Sequence, residues 1–90
     1  MDCFAALADP TRLRIVEMLA IRGQLPASAI ARRFAVSAPA ISQHLKILRA
    51  ARLVRVQARA QQRLYSLDGA GFDALDQWLR RMRLLHRARN

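Results

Sequence analysis

Pro39, Ser42, Gln43, Lys46 and Ala50 are spaced so that, on a helix turning about 100° per residue, they gather on one side with Ile41, Leu45 and Leu48 opposite them. The apolar trio would anchor this helix, read as Ala38 to about Ala51, in a core. The other face offers small, polar and basic groups and no acid. A serine hydroxyl and a glutamine amide can hydrogen-bond base edges, a lysine reaches a base or a phosphate, and small neighbours let the backbone approach a major groove. An ordinary solvated helix face has the same polarity, so the spacing acquires meaning only from its surroundings.

No set of side chains promises catalysis. There are no paired carboxylates, no nucleophile matched to a base and, with three glycines in all, no phosphate-cradling loop. The single cysteine, Cys3, rules out an intrachain disulfide, and no Cys/His cluster has zinc-ligand spacing. An enzyme is not expected, nor a cofactor, nor a bound metal.

The surroundings are electrostatic first. Sixteen basic residues, all but one of them Arg, stand against six acids, for a net charge of +10. The acids leave residues 18–67 without a negative charge, while that span holds nine cations, from Arg22 to Arg63. Solvated surfaces mix signs, so a one-signed field over the middle of a chain points to a polyanionic partner. A hydrophobic fraction of 53% excludes a disordered tail. No apolar run approaches the roughly 18 residues that cross a bilayer, and Met1-Asp2-Cys3-Phe4 lacks the basic and apolar segments of a leader, so a cytoplasmic protein without a membrane partner is expected. The 90 residues read as one domain, 1–90, too small for a generous core, and without disulfide or metal a second subunit is the expected support.

The elements follow from periodicity and caps. Residues 3–8 form one or two helical turns, and Asp9-Pro10 restarts the chain as N-cap and first helical residue. The next helix, about 10–22, carries Leu13, Ile15, Val16 and Leu19 in a stripe expected to be buried on two sides, and Gly23 ends it. After a loop of Gly23-Gln24-Leu25-Pro26, a short helix covers about 27–35, and Ser37 caps the helix that begins at Ala38. Two short helices across a tight turn, the second longer and basic, form the helix-turn-helix pattern. Residues 53–58 and 63–67 alternate as strands of a hairpin whose polar, cationic tip is Arg59-Ala60-Gln61-Gln62: a wing. A last helix runs from Ala70 into the late eighties. Its Phe72, Leu75, Leu79, Met82 and His86 recur every three or four residues, flanked by Trp78 and Leu85, in a stripe too large for one thin domain to cover. The fold class is mainly α with a small β-hairpin, α-α-α-α-β-β-α.

The stretch Leu7-Ala8-Asp9-Pro10-Thr11-Arg12-Leu13-Arg14-Ile15, then Ser37-Ala38-Pro39-Ala40-Ile41-Ser42-Gln43-His44-Leu45-Lys46-Ile47-Leu48 and Leu53-Val54, resembles the ArsR/SmtB family of prokaryotic repressors over nearly the whole chain. The resemblance implies a winged helix-turn-helix homodimer, joined through its first and last helices, that binds an inverted-repeat operator in double-stranded DNA and is released by an inducer. It places Ala38, Pro39, Ser42 and Gln43 toward the bases, behind Ser37 and beside Lys46, and Arg59 and Arg63 on the wing. It adds Phe4 and Leu7 of the first helix to the dimer set of Phe72, Leu75, Trp78, Leu79 and Met82. Repression is then steric, at a promoter that includes the protein's own.

Departures from the family pattern matter equally. Metal sensors of the family often carry Cys-x-Cys where this chain has Pro26 and Ser28. Others use Asp-x-His and His-x-x-Glu or His pairs on the last helix; here Asp73-Ala74-Leu75 breaks the first pair, and His86 is followed at the third place by Arg89. Without soft or imidazole ligands neither site forms, which implies a metal-independent branch. Arg52 and Ala60 stand where Gly is common, which suggests turns of a different shape. Cys3 is read as a small apolar residue packed under the last helix, with a redox role across a dimer as the alternative. His44 is read as a packing and hydrogen-bonding residue, His86 as solvated, and Trp78 as interface core rather than pocket wall. The rival function is a small basic RNA-binding protein. Against it, the aromatic residues of the basic stretch, Phe34 and Tyr65, sit at core-like positions, so stacking platforms are missing. The small-molecule or redox nature of any inducer is not written in the chain.

Overall fold

The computed structural model describes residues Asp2 to Arg89. Helices α1 (Cys3–Ala8) and α2 (Pro10–Arg22) lead into strand β1 (Gln24–Pro26), and α3 (Ala27–Ala31) and α4 (Ala38–Ala50) follow. A hairpin of β2 (Val54–Arg59) and β3 (Gln62–Leu67) precedes the long α5 (Gly69–Arg89). The fold is mainly helical with one small antiparallel sheet, as the periodicity indicates.

Helix starts are set by side-chain oxygens that accept from amides the helix leaves unpaired. Asp2 Oδ1 accepts from Phe4 N at 2.9 Å, Asp9 Oδ2 from Arg12 N at 3.0 Å, Ser37 Oγ from Ala40 N at 3.2 Å and Asp68 Oδ1 from Ala70 N at 3.0 Å. Gly23, at φ 86°, closes α2 by donating to the Leu19 carbonyl at 2.8 Å. Ile15, Leu19, Ile30, Ile41, Leu45, Leu48, Leu53 and Val54 are fully buried and make the centre of the core. Each contributes about 1.5–3 kcal/mol relative to exposure.

Four expectations need correction. Gln24-Leu25-Pro26 is a strand, not a loop: β1 pairs with β3, which lies between β1 and β2, and Leu25 sits opposite Tyr65. An edge strand tolerates Pro26 because its missing donor is not needed on the outer side. Helix α3 ends at Ala31, and Phe34 packs against the core from the turn that follows. Leu13 is 42% exposed, so α2 is buried along Ile15, Val16 and Leu19 and open on the Leu13 side. Arg52 and Ala60 do adopt the left-handed conformation, both at φ 57°, so these turns keep the shape that suits Gly. Each carries strain of about 1–2 kcal/mol.

The chain leaves α4 through a Schellman turn. Leu53 N donates to Leu48 O and Arg52 N to Arg49 O, both at 3.0 Å, with the buried side chains of Leu48 and Leu53 supplying the apolar contact of the motif. Helix α5 docks on this turn: Gly71 N donates to Arg52 O at 2.8 Å and Asp68 N to Leu53 O at 2.9 Å. Phe72 and Leu75 reach the core, after which the helix runs on and the molecule stretches to 53 × 26 × 23 Å.

A Cβ on Gly71 would lie 2.6 Å from the Arg52 carbonyl oxygen and 2.8 Å from Leu53 Cδ2. Backbone cannot yield as a flexible side chain does, so Gly71→Ala should destabilise by about 1–3 kcal/mol, outweighing the better helix propensity of Ala, worth about 1. Urea denaturation showing equal or higher stability for the variant would contradict this packing.

Candidate nucleic-acid interface

Helix α4 is held by Ile41, Leu45 and Leu48, all at most 1% exposed, which fixes its rotation and turns the opposite face to solvent. Ala38, Pro39, Ser42, Gln43 and Lys46 are all exposed there, together with Ala50. Ser37 is exposed too, but its hydroxyl oxygen already accepts from Ala40 N, so it positions the helix start and has a donor left to offer. Ile47, on the flank, is 41% exposed.

The hairpin places Arg59 and Arg63 unequally. Ala58 pairs with Arg63, and Arg59 with Gln62. Paired residues share a face of the sheet and neighbours along a strand alternate, so the two exposed arginines stand on opposite faces of the wing. Its two-residue turn begins with Ala60 at positive φ, the place where such hairpins usually have Gly.

One connection had no local signal in the sequence. Arg12 on α2 donates from Nε to the Ala6 carbonyl at 2.7 Å and from Nη2 to the Ala5 carbonyl at 3.3 Å, closing the end of α1. Its Nη1 lies 3.3 Å from His44 Nδ1 on α4. A guanidinium only donates, so in the neutral ring Nδ1 is the acceptor of this contact, while Asp9 Oδ2 lies 4.0 Å from the same nitrogen and pairs with the ring when it is protonated. His44 thus has the hydrogen-bonding role expected of it, and it ties the helix that could read bases to α1 and α2.

The residues assigned to dimer contact divide. Leu7, Phe72 and Leu75 are half-buried against the core, and Met82 is half-buried on α5. Phe4, Trp78 and Leu79 are 49%, 37% and 44% exposed, and the Phe4 and Trp78 rings meet edge-to-face at 4.9 Å. First and last helices therefore share one apolar patch. Cys3 is half-buried where α1 meets the start of α5, its Sγ 3.4 Å from Ala51 O and 3.8 Å from Gly71 O. Among the described residues no group of three or more His, Cys, Asp or Glu could hold a metal ion, and no helix is long and apolar enough to cross a membrane.

Helix, turn, helix and an exposed hairpin behind them define a winged helix-turn-helix protein. Residues 7–57 match a helix-turn-helix domain family. The chain is 51% identical over 70 residues to the HTH-type transcriptional regulator Rv2034 of Mycobacterium tuberculosis, covering 78% of this chain and 64% of that protein, so it spans somewhat under two thirds of that relative. It is 39% identical to the transcriptional repressor SdpR of Bacillus subtilis, over 74% of this chain and 73% of that one. An ArsR-like transcriptional regulator from Rhodococcus superposes with a TM-score of 0.83 at 35% identity, covering 96% of this chain and 80% of the other. The chain belongs to the ArsR/SmtB family of helix-turn-helix transcriptional regulators, a family of regulators and not of enzymes.

The Asp9 carboxyl is held below its usual value near 3.8, chiefly by the Arg12 backbone amide it accepts, with the charges of His44 and Arg12 adding and partial burial opposing. A lowered folded value means that the stabilisation is complete above the unfolded value and is lost as pH falls through the lower one. Asn caps helices as well as Asp but does not titrate. The stability gap between wild type and Asp9→Asn should be present above the usual carboxylate range and close in strong acid, as urea midpoints across that range would register; a gap that persists in strong acid would refute the assignment.

Proposed function

We propose that this chain is a homodimeric, sequence-specific DNA-binding repressor that occupies an inverted-repeat operator and blocks transcription sterically, its own promoter included. The observation that carries the proposal is the acid-free exposed face of α4 beside an exposed cationic wing, within a segment that holds no negative charge between residues 18 and 67. Ser42 and Gln43 read base edges, Lys46 reaches a base or phosphate, and Ala38 and Pro39 permit close approach. Arg59 and Arg63, on opposite faces of the wing, suit the two phosphate walls of a groove.

Residues 1–90 act as one unit in the cytoplasm, and the terminal helices join two copies through Phe4, Trp78, Leu79 and Met82, with Leu7, Phe72 and Leu75 beneath. An apolar patch shared by two helices and still exposed is the kind of surface that a second subunit covers. With Pro26, Ser28 and Leu75 at family ligand positions, DNA release does not run through zinc or arsenite. Cys3 remains the candidate for a redox response, against its reading as packing.

Replacing Leu79 with Glu should convert a dimer to a monomer in sedimentation, because the patch cannot bury an unpaired charge; a wild type that sediments as a folded monomer at micromolar concentration would remove the dimer from the proposal.

Gln43→Ala should cost about 1–3 kcal/mol on the preferred operator and little on random duplex. Arg63→Ala should weaken all duplexes alike and, with two wings per dimer, reduce the slope of log affinity against log salt by up to about 2. Gel shifts across a salt series decide: a Gln43→Ala loss equal on every sequence, with an unchanged Arg63→Ala slope, would reverse the roles. Tighter binding to single-stranded RNA than to any duplex would favour the RNA reading.

A further inference from the structure

A cleft of about 570 Å³ lies between the end of α4 and the base of the wing, lined by Lys46, Arg49, Arg52, Arg55 and Asp68 over a floor of Ala50, Val54 and Val56. Its four cations are exposed, and among the described residues none of them takes part in an ion pair. Asp68, the one acid, accepts from Ala70 N at the start of α5. Unneutralised like charges around one cleft repel one another until an anion enters.

The cleft continues a line already on α4. At about 100° per residue, Ser42, Lys46 and Arg49 project within a narrow sector of the helix, and Arg52 and Arg55 extend that line past the Schellman turn to the first residues of β2. Arg52 also holds its place at the expense of strain, since φ 57° at the residue that follows a helix cap suits Gly. A strained position bearing a long cation is what a charge requirement at that position would produce.

We propose that this cleft is a phosphate-binding track that seats the DNA backbone beside the groove read by Ser42 and Gln43, so that the contact continues past Lys46 to the end of α4 and onto β2. The inference rests on the DNA-binding reading above and adds to it Arg49, Arg52 and Arg55, none of which the base-facing and wing assignments include. The chemistry is that of a phosphodiester chain: guanidinium forks pair with successive non-bridging oxygens, and the apolar floor carries the arginine stems.

Arg52→Gly separates this role from a structural one because the two readouts move in opposite directions. Relief of backbone strain should raise the melting temperature by about 2–8 °C. Loss of one phosphate contact per subunit should flatten the slope of log affinity against log salt by up to about 2 on operator and random duplex alike, and Arg55→Gln should do the same without the thermal gain. Arg83→Gln, far along α5, serves as the control and should leave the slope unchanged. Wild type that binds no duplex would defeat the DNA-binding reading itself. Wild type that binds while Arg52→Gly and Arg55→Gln keep its slope would overturn the track alone. Pyrophosphate titrated into the DNA-free protein forms the third arm: saturable sub-millimolar binding that Arg52→Gly abolishes, with unchanged DNA slopes, would replace the DNA backbone by a free anion.

Discussion

The hydrogen bond from Gly71 N to the Arg52 carbonyl is the constraint on which the arrangement depends. It requires a left-handed residue after α4, so that the carbonyl of Arg52 points at α5, and a glycine in the first turn of α5, because a Cβ would stand 2.6 Å from that same oxygen. The Schellman turn thereby does two things at once. It buries Leu53 against Leu48, and it sets the angle at which the long helix leaves the domain. Among the described residues of α5 only Gly71 is buried, so this first turn, with Phe72 and Leu75 on the core and Trp78 against Phe4, carries the attachment of the helix.

A second tie reaches α4 from the other side. Arg12 closes the end of α1 through two carbonyls and contacts His44, which stands between the core face of α4 and its exposed face. Helix α4 is thus fixed at its middle to α1 and α2 and at its end to α5. Those are the elements that carry Phe4 and Trp78. Two short polar paths thus link the apolar patch to α4, beside the packing of Leu7, Phe72 and Leu75 on the shared core.

Much of this was legible in the chain because it was local. Asp9-Pro10 and Ser37 announce helix starts through capping chemistry, and the three- and four-residue spacing of Ile41, Leu45 and Leu48 fixes which side of α4 is buried. What escaped was non-local or lacked its usual marker. Strand β1 is three residues with a proline among them, too short for alternation to register, and it exists because β3 offers a free edge. Arg52 hides a left-handed turn because Gly is the residue that signals one. The contact of Arg12 with His44 joins residues 32 apart in sequence, which no periodicity can show. Leu13 follows the apolar stripe of α2 and yet is exposed, since the stripe is wider than the core it meets.

Charge sets the remaining balance. At +10 per chain, two copies brought together repel at long range, so the patch of Phe4, Trp78 and Leu79 has to outweigh that repulsion by apolar burial. The repulsion is screened by salt, with a Debye length near 10 Å at about 0.1 M, so association of the two copies is favoured as ionic strength rises. Attraction to a phosphate backbone is weakened by the same salt. In the proposed dimer, association of the copies and DNA binding therefore respond to ionic strength with opposite signs. In the DNA-bound dimer proposed above, the duplex resolves the opposition: a polyanion lying against α4 and the wing neutralises the central cations of both copies and offsets the repulsion between them.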